Sequence, residues 1–118
     1  MSGLRDYKLY LHDIKEAVEK IETFTKGFTF EEFAKDTKTV DAVIRNLEIL
    51  GEAAKHIPKR VKEKHPDIDW KAMGGMRNIL AHEYFGVRMG IIWKTIRERL
   101  PELRHKIEEI LGEGRDQT

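Results

Sequence analysis

One short stretch of the chain concentrates polar side chains that can handle phosphates and protons. Residues 75–86, GMRNILAHEYFG, place Arg77, Asn78, His82 and Tyr84 in an otherwise apolar run. On a straight helix, Arg77 and Tyr84 lie on nearly one meridian, and Asn78 and His82 share the neighbouring stripe. Arg77 and His82 project about 140° apart. They converge only if the helix ends near His82 or if two subunits share the site.

This set of side chains suits the cleavage of a phosphodiester bond in RNA. Arginine is a permanent cation that holds a phosphate through two parallel hydrogen bonds. Histidine moves protons near neutral pH, here to or from the 2′-hydroxyl or the leaving oxygen. Asparagine has a donor and an acceptor to hold the phosphate or the imidazole. The RNA supplies its own nucleophile, so the chemistry needs no metal.

The reaction uses both a base and an acid, whereas the motif offers one histidine per chain. A symmetric dimer would bring two Arg/His sets into one cleft. A purely structural role also stays open, because an arginine and a histidine five positions apart are common in helices. A histidine beside apolar residues is more often packed than catalytic.

Other site types find little support in the sequence. A di-iron bundle needs two Glu-x-x-His motifs and two further inward glutamates, but only Glu102 and His105 form such a motif. The H-E-x-x-H zinc motif, the G-x-S-x-G elbow and the phosphate-binding P-loop are absent. Glutamate and histidine four residues apart, at 12/16, 52/56 and 105/109, are typical of helix surfaces. We therefore expect no metal and no cofactor.

The length and charge of the chain limit the kinds of protein that could carry these residues. The chain has 118 residues, of which 40% are hydrophobic and 36% charged, and 22 Lys+Arg against 21 Asp+Glu leave a net charge of +1. One domain over residues 1–118 fits this length. Because the net charge is so small, an RNA-binding surface must come from local clustering. Residues 55–65 form one basic stretch, which could follow an RNA backbone or meet an acidic partner. A solvated helix face is the simpler interpretation.

Cysteine is absent, which excludes disulfides, zinc fingers and thiol catalysis. No apolar run reaches the 18 residues of a membrane span. The first residues do not resemble a signal peptide. We expect a cytoplasmic protein that does not contact membranes.

Apolar residues recur at steps of three and four along most of the chain, which predicts an all-α fold. A first helix is expected after an N-cap at Ser2, ending near Gly27. Its apolar face is formed by Tyr7, Leu11, Ile14, Val18 and Ile21, and is widened by further residues that include Tyr10. A capping box from Thr29 to Glu32 opens a short helix. A third helix is expected after Thr37 or Thr39.

The second half is predicted to be helical as well. A short basic helix over 59–65 is followed by a helix from Trp70, capped by Asp67 or Asp69. The last helix runs from about 87 to 111, with a kink at Pro101 and glycines at 112 and 114 as its end. The tail after 112 is expected to be flexible. Trp70 and Trp93 are expected to be core or interface anchors. The elements together indicate a small up-and-down bundle of four to five helices.

The motif also resembles a known signature. RNILAHEY (residues 77–84) is similar to the R-x-x-x-x-H-x-Y motif of HepT-like toxins of the HEPN superfamily, including the polar residue after the arginine. The likeness extends to AVIRNLEILGEAAKHIP (42–58), HPDIDWKAMGGMRN (65–78), HEYFGV (82–87) and LPEL (100–103). It therefore covers nearly the whole chain.

The resemblance implies a dimerising helical bundle and a metal-independent endoribonuclease toxin. Arg77 and His82 of both subunits would be catalytic, with Asn78 supporting them. The expected partner is a minimal nucleotidyltransferase antitoxin, as in a type VII-like toxin–antitoxin pair. It would transfer AMP onto Tyr84, and the adduct would neutralise Arg77 and fill the cleft. Glu52 is a weaker candidate for the same cleft, since an exposed helix glutamate is the simpler interpretation.

A second interpretation of the same motif is a non-catalytic module. The segment would then bind nucleotide or dock the nucleotidyltransferase. Arg77 and Tyr84 would matter in that case, and His82 would not.

Overall fold

The computed structural model describes residues 6–75 and 89–116, with side chains as far as 112. The helices of these residues are α1 (Tyr7–Thr25), α2 (Phe30–Lys35), α3 (Thr37–Lys55), α4 (Lys59–Lys64), α5 (residues 70–75), α6 (Met89–Lys94), a π-helical turn (Thr95–Arg99) and α7 (Leu100–Asp116). The last three segments are contiguous, so the described residues form six helical rods, three long and three short. The described ranges contain no strand. The predicted all-α bundle is confirmed.

The core lies between the three long rods. The predicted apolar face of α1 is fully buried at Leu11, Ile14, Val18 and Ile21. It packs against α3 on one side and α7 on the other. The facing residues with almost no exposed surface are Val43, Leu47 and Leu50 from α3, and Leu100 and Ile107 from α7. Each such side chain contributes about 1.5–3 kcal/mol by leaving water, so this three-helix contact dominates stability.

Local capping signals explain where the second helix begins. The Thr29 hydroxyl accepts a hydrogen bond from the Glu32 amide at 3.1 Å, and the Glu32 carboxylate accepts one from the Thr29 amide at 2.9 Å. The predicted capping box is therefore confirmed. Gly27 follows the end of α1 with φ +80°, a conformation that glycine adopts without strain.

Two predicted N-caps are wrong. α1 is capped by Asp6, whose carboxylate accepts from the Lys8 amide at 2.9 Å, and not by Ser2. α3 is capped by Asp36, which accepts from the Thr39 amide at 3.1 Å, in place of Thr37 or Thr39. In both cases an aspartate stands directly before the first helical residue. There its negative charge also interacts favourably with the helix dipole.

The last rod differs from the prediction at two places. The irregularity expected at Pro101 is a π-helical turn, in which the Leu100 amide donates to the Thr95 carbonyl. Pro101 has no amide hydrogen, so it cannot satisfy the carbonyl four residues earlier, and the helix widens there. The glycines at 112 and 114 do not end the rod, which continues to Asp116. A helical glycine costs only about 1 kcal/mol, and the buried Ile110 stabilises the preceding turn.

None of the helices in the described ranges has the length and apolar character to cross a bilayer.

Candidate active site

The side chains singled out by the sequence lie outside the described residues. Arg77, Asn78, His82 and Tyr84 all fall in the interval between Gly75 and Met89. The structure therefore places none of them, together or apart. It does describe the helices that lead into this interval and out of it.

The incoming helix, α5, is anchored at its first turn. The Asp69 carboxylate accepts a hydrogen bond from the Ala72 amide at 3.0 Å, which selects Asp69 over Asp67 as the predicted cap. The Trp70 indole is buried and donates to the His65 carbonyl at 3.0 Å. Ile68 is buried in the core. Burial and capping thus fix the direction in which the chain approaches residue 76.

The outgoing helix, α6, is held by aromatic packing. The Trp93 ring lies 5.1 Å from that of Phe33, which is fully buried. The Arg97 guanidinium lies 4.3 Å above the Trp93 ring and donates to the Phe28 carbonyl at 2.7 Å. Ile92 enters the core. This side of the interval is therefore clamped to α2 and to the α1–α2 loop, and the predicted anchoring role of Trp93 is confirmed.

A cavity of about 160 Å³ lies between α5 and α7. The apolar wall of this cavity is formed by Leu50, Ile68, Met73 and Leu100. Its polar rim is formed by Asp67, Asp69, Arg99, Glu102 and Lys106. Lys106 is already engaged, since its ammonium donates to the Asp67 carbonyl at 2.8 Å and lies 3.6 Å from the Glu102 carboxylate. Three carboxylates against two cations make this cavity unfavourable for an RNA backbone.

The basic stretch lies beside α5. A Cβ placed on Gly74 would be 3.5 Å from Cγ and 3.7 Å from Cε of Lys55, so the lysine stem runs along α5 one turn before the motif. On the other side, the Arg60 guanidinium lies 5.4 Å from the centroid of the Tyr7 ring. The rings of Tyr10 and His56 stack at 4.9 Å and 15°. The end of α3 and the start of α4 therefore bring cations to the same end of the bundle as α5, where they meet tyrosine rings from the start of α1.

Sequence reasoning missed these contacts. It assigned Tyr7 and Tyr10 only to the apolar face of α1, although each ring meets a residue from the basic stretch. Helical periodicity reports which face of one helix is apolar, but not which residue of another helix it meets. The three-residue spacing of the two tyrosines was the only available signal.

Glu52 lies on the exposed side of α3. Its carboxylate is 3.4 Å from the His56 imidazole, and about half of each side chain is exposed. His105 and Glu109 form a similar exposed pair at 3.5 Å. Both are surface pairs, as the sequence predicts. In the described part of the chain, no three histidine, aspartate or glutamate side chains are arranged to hold a metal ion.

One arginine joins the long rods. Arg104 on α7 lies 2.9 Å from the Glu22 carboxylate on α1 and 3.3 Å from that of Glu108. The negative charge of Glu22 is the main cause that raises the pKa of Arg104 above its ordinary value. Arg104 therefore stabilises the packing of α7 against α1 and is not available to bind a substrate.

Comparison with known proteins defines the class. The sequence model of the family described as Ribonuclease HepT-like matches residues 14–110. A Thermococcus cleftensis protein named "Probable ribonuclease HepT" is 51% identical over 106 residues, which cover 90% of this chain and 96% of that protein. A Methanocaldococcus jannaschii protein named "Putative RNase" is 43% identical over 116 residues, covering 97% and 96% of the two chains. No solved structure matches the chain significantly.

The chain therefore belongs to the HepT-like ribonuclease family, in agreement with the resemblance read from its motif. The match spans both sides of the interval that carries Arg77 and His82.

Proposed function

We propose that this protein is a metal-independent endoribonuclease toxin whose active site is shared across a homodimer. The observation that carries the proposal is the occurrence of Arg77, His82 and Tyr84 at the spacing R-x-x-x-x-H-x-Y in a chain of the HepT-like ribonuclease family. Asn78 supports the pair. The helices on either side of the motif are firmly anchored, which suits a site that must hold its groups in place.

The cleavage step needs only groups that this chain and the RNA supply. Arg77 holds the scissile phosphate and offsets the charge that develops on its oxygens. His82 of one subunit removes the proton of the 2′-hydroxyl, whose oxygen bonds to phosphorus. His82 of the partner subunit gives a proton to the departing 5′-oxygen. The products are a 2′,3′-cyclic phosphate and a free 5′-hydroxyl.

Tyr84 provides the proposed control. A partner nucleotidyltransferase would catalyse attack of the Tyr84 phenol oxygen on the α-phosphorus of ATP, with pyrophosphate as the leaving group. The phenol loses its proton, and the new phosphodiester carries one negative charge. That charge would compete with RNA for Arg77, and the adenosine would occupy the substrate cleft. This partner acts as the antitoxin.

The test is RNA cleavage by the purified protein with EDTA present. We expect cleavage by the unaltered protein and a loss of at least about a hundredfold in His82→Ala, the range that removal of a general acid–base group produces. The matched control is His105→Ala, because His105 is an exposed surface histidine. Cleavage that requires a divalent metal, or an active His82→Ala variant, would contradict the proposal.

The intact mass after incubation with the nucleotidyltransferase and ATP tests the control step. We expect an added AMP that is absent in Tyr84→Phe, together with loss of cleavage. An adduct on Tyr84 in a protein that never cleaved RNA would instead identify a non-catalytic docking module.

A further inference from the structure

We propose that the end of the bundle beside α5 is an RNA-backbone-binding surface that extends the active site. We call it the basic surface. It consists of Lys55, His56, Lys59 and Arg60, together with the rings of Tyr7 and Tyr10. The inference rests on the proposed function, because it assigns single-stranded RNA as the ligand.

The first argument is that the cations of the basic surface are exposed and not paired with acidic side chains in the described part of the chain. Lys55, Lys59 and Arg60 are exposed, and none is paired with a carboxylate of the described residues. Elsewhere in the described ranges, Arg104 and Lys106 are each held by two carboxylates. In a chain with a net charge of only +1, unneutralised cations gathered at one end form a local positive field. Such a field attracts a polyanion.

The second argument is that aromatic contacts restrict two side chains of this surface, Arg60 and His56. Arg60 lies over the Tyr7 ring, and His56 stacks on Tyr10 and contacts Glu52. A guanidinium held on a ring loses less side-chain entropy on meeting a phosphate than a free one does. Proteins that bind single-stranded nucleic acids also combine aromatic rings and cations in one surface.

The third argument is position. The stem of Lys55 lies against Gly74, and Arg77 follows Gly74 by three residues in the sequence. Consecutive Cα atoms are about 3.8 Å apart, so three peptide steps cannot span more than about 11.4 Å. An RNA strand that passes over Lys55 is therefore close to the part of the chain that carries Arg77.

Binding of single-stranded RNA tests this surface directly. A fluorescently labelled 20-nucleotide RNA is titrated against protein carrying His82→Ala, which prevents cleavage, and anisotropy is measured at several salt concentrations. The surface variant carries Lys55→Gln, Lys59→Gln and Arg60→Gln. A charge-conserving variant carries Lys55→Arg, Lys59→Arg and Arg60→Lys. Circular dichroism verifies that all variants fold.

The matched control removes the same charge from the other end of the bundle. This control variant carries Lys26→Gln, Lys35→Gln and Lys38→Gln, at three positions around the start of α3. Lys38 is about 25 Å from Lys55 along the helix axis, since a helix rises 1.5 Å per residue. All three control lysines are exposed.

We expect the surface variant to bind RNA at least about tenfold more weakly. We expect its slope of log affinity against log salt to fall by about 2, since each phosphate contact on a single strand contributes about 0.7. The control variant should stay within about twofold of the parent, and the charge-conserving variant should recover most of the affinity that the surface variant loses. Equal losses in the surface and control variants, or no loss, would overturn the assignment.

Two further outcomes separate this inference from the proposed function. If the unaltered protein fails to cleave RNA but binds it through the basic surface, the nuclease proposal fails and this surface is supported as an RNA-binding site. If the surface variant binds RNA normally but no longer co-purifies with the nucleotidyltransferase, the surface is a protein interface and the inference is wrong.

Discussion

Replacing Trp70 by phenylalanine tests how firmly the incoming helix is held. The indole is 8% exposed, and its N–H donates to the His65 carbonyl. The substitution removes this hydrogen bond, which contributes about 1 kcal/mol. It also removes roughly 50 Å² of buried aromatic surface, worth about 1 kcal/mol at 25 cal/mol per Å². We expect the free energy of unfolding to fall by about 2 kcal/mol.

The same substitution at Trp93 is the matched control. Trp93 is only partly buried, and its indole N–H makes no hydrogen bond to a residue in the described ranges. Trp93→Phe should therefore cost about 0.5–1 kcal/mol, from lost area and a weaker cation–π contact with Arg97. Urea denaturation, followed by circular dichroism, measures the free energy of unfolding of both variants. In thermal unfolding, the melting temperatures of the two variants should differ by several degrees. A Trp70→Phe cost no larger than that of Trp93→Phe would refute the anchoring role of the indole–carbonyl contact.

Two more substitutions test the frame, both measured by urea denaturation. Asp36→Ala should cost about 1 kcal/mol because it removes the N-cap of α3. Thr37→Ala should cost less, and equal losses would contradict the assignment of Asp36 as the cap. Arg97→Leu should cost about 1–3 kcal/mol, since Arg97 bonds to a backbone carbonyl and covers Trp93. Arg97→Lys should restore part of the loss, and an unaffected Arg97→Leu variant would show that the clamp is not stabilising.

Helical periodicity predicted the buried face of α1 well. The steps of four and three from Leu11 to Ile21 need only one helix and a core to one side. The cap positions were harder, because several capping residues stand close together near each helix start. Thr37 or Thr39 was expected to cap α3, whereas Asp36 does so, because the backbone dihedrals decide which side chain reaches a free amide.

For the active site, the sequence predicted the residue types but not their arrangement in space. Arg77 and His82 stand out as residue types that fit phosphodiester cleavage, but their five-residue spacing leaves them on different sides of a straight helix. Whether they converge depends on a partner subunit, which helical periodicity within one chain does not reveal. The contact of Arg60 with Tyr7 likewise joins residues 53 positions apart, beyond the reach of any local pattern.

The central claim is that Arg77 and His82 from two copies of the chain act on one phosphate. The most direct test mixes unaltered and His82→Ala subunits by co-refolding, with EDTA present, and measures the rate of RNA cleavage against the fraction of unaltered chains. If one cleft needs a histidine from each subunit, mixed dimers are inactive and an equal mixture keeps about a quarter of the activity. A linear fall, with about half of the activity at equal mixing, would show that each subunit cleaves alone and would contradict the shared site.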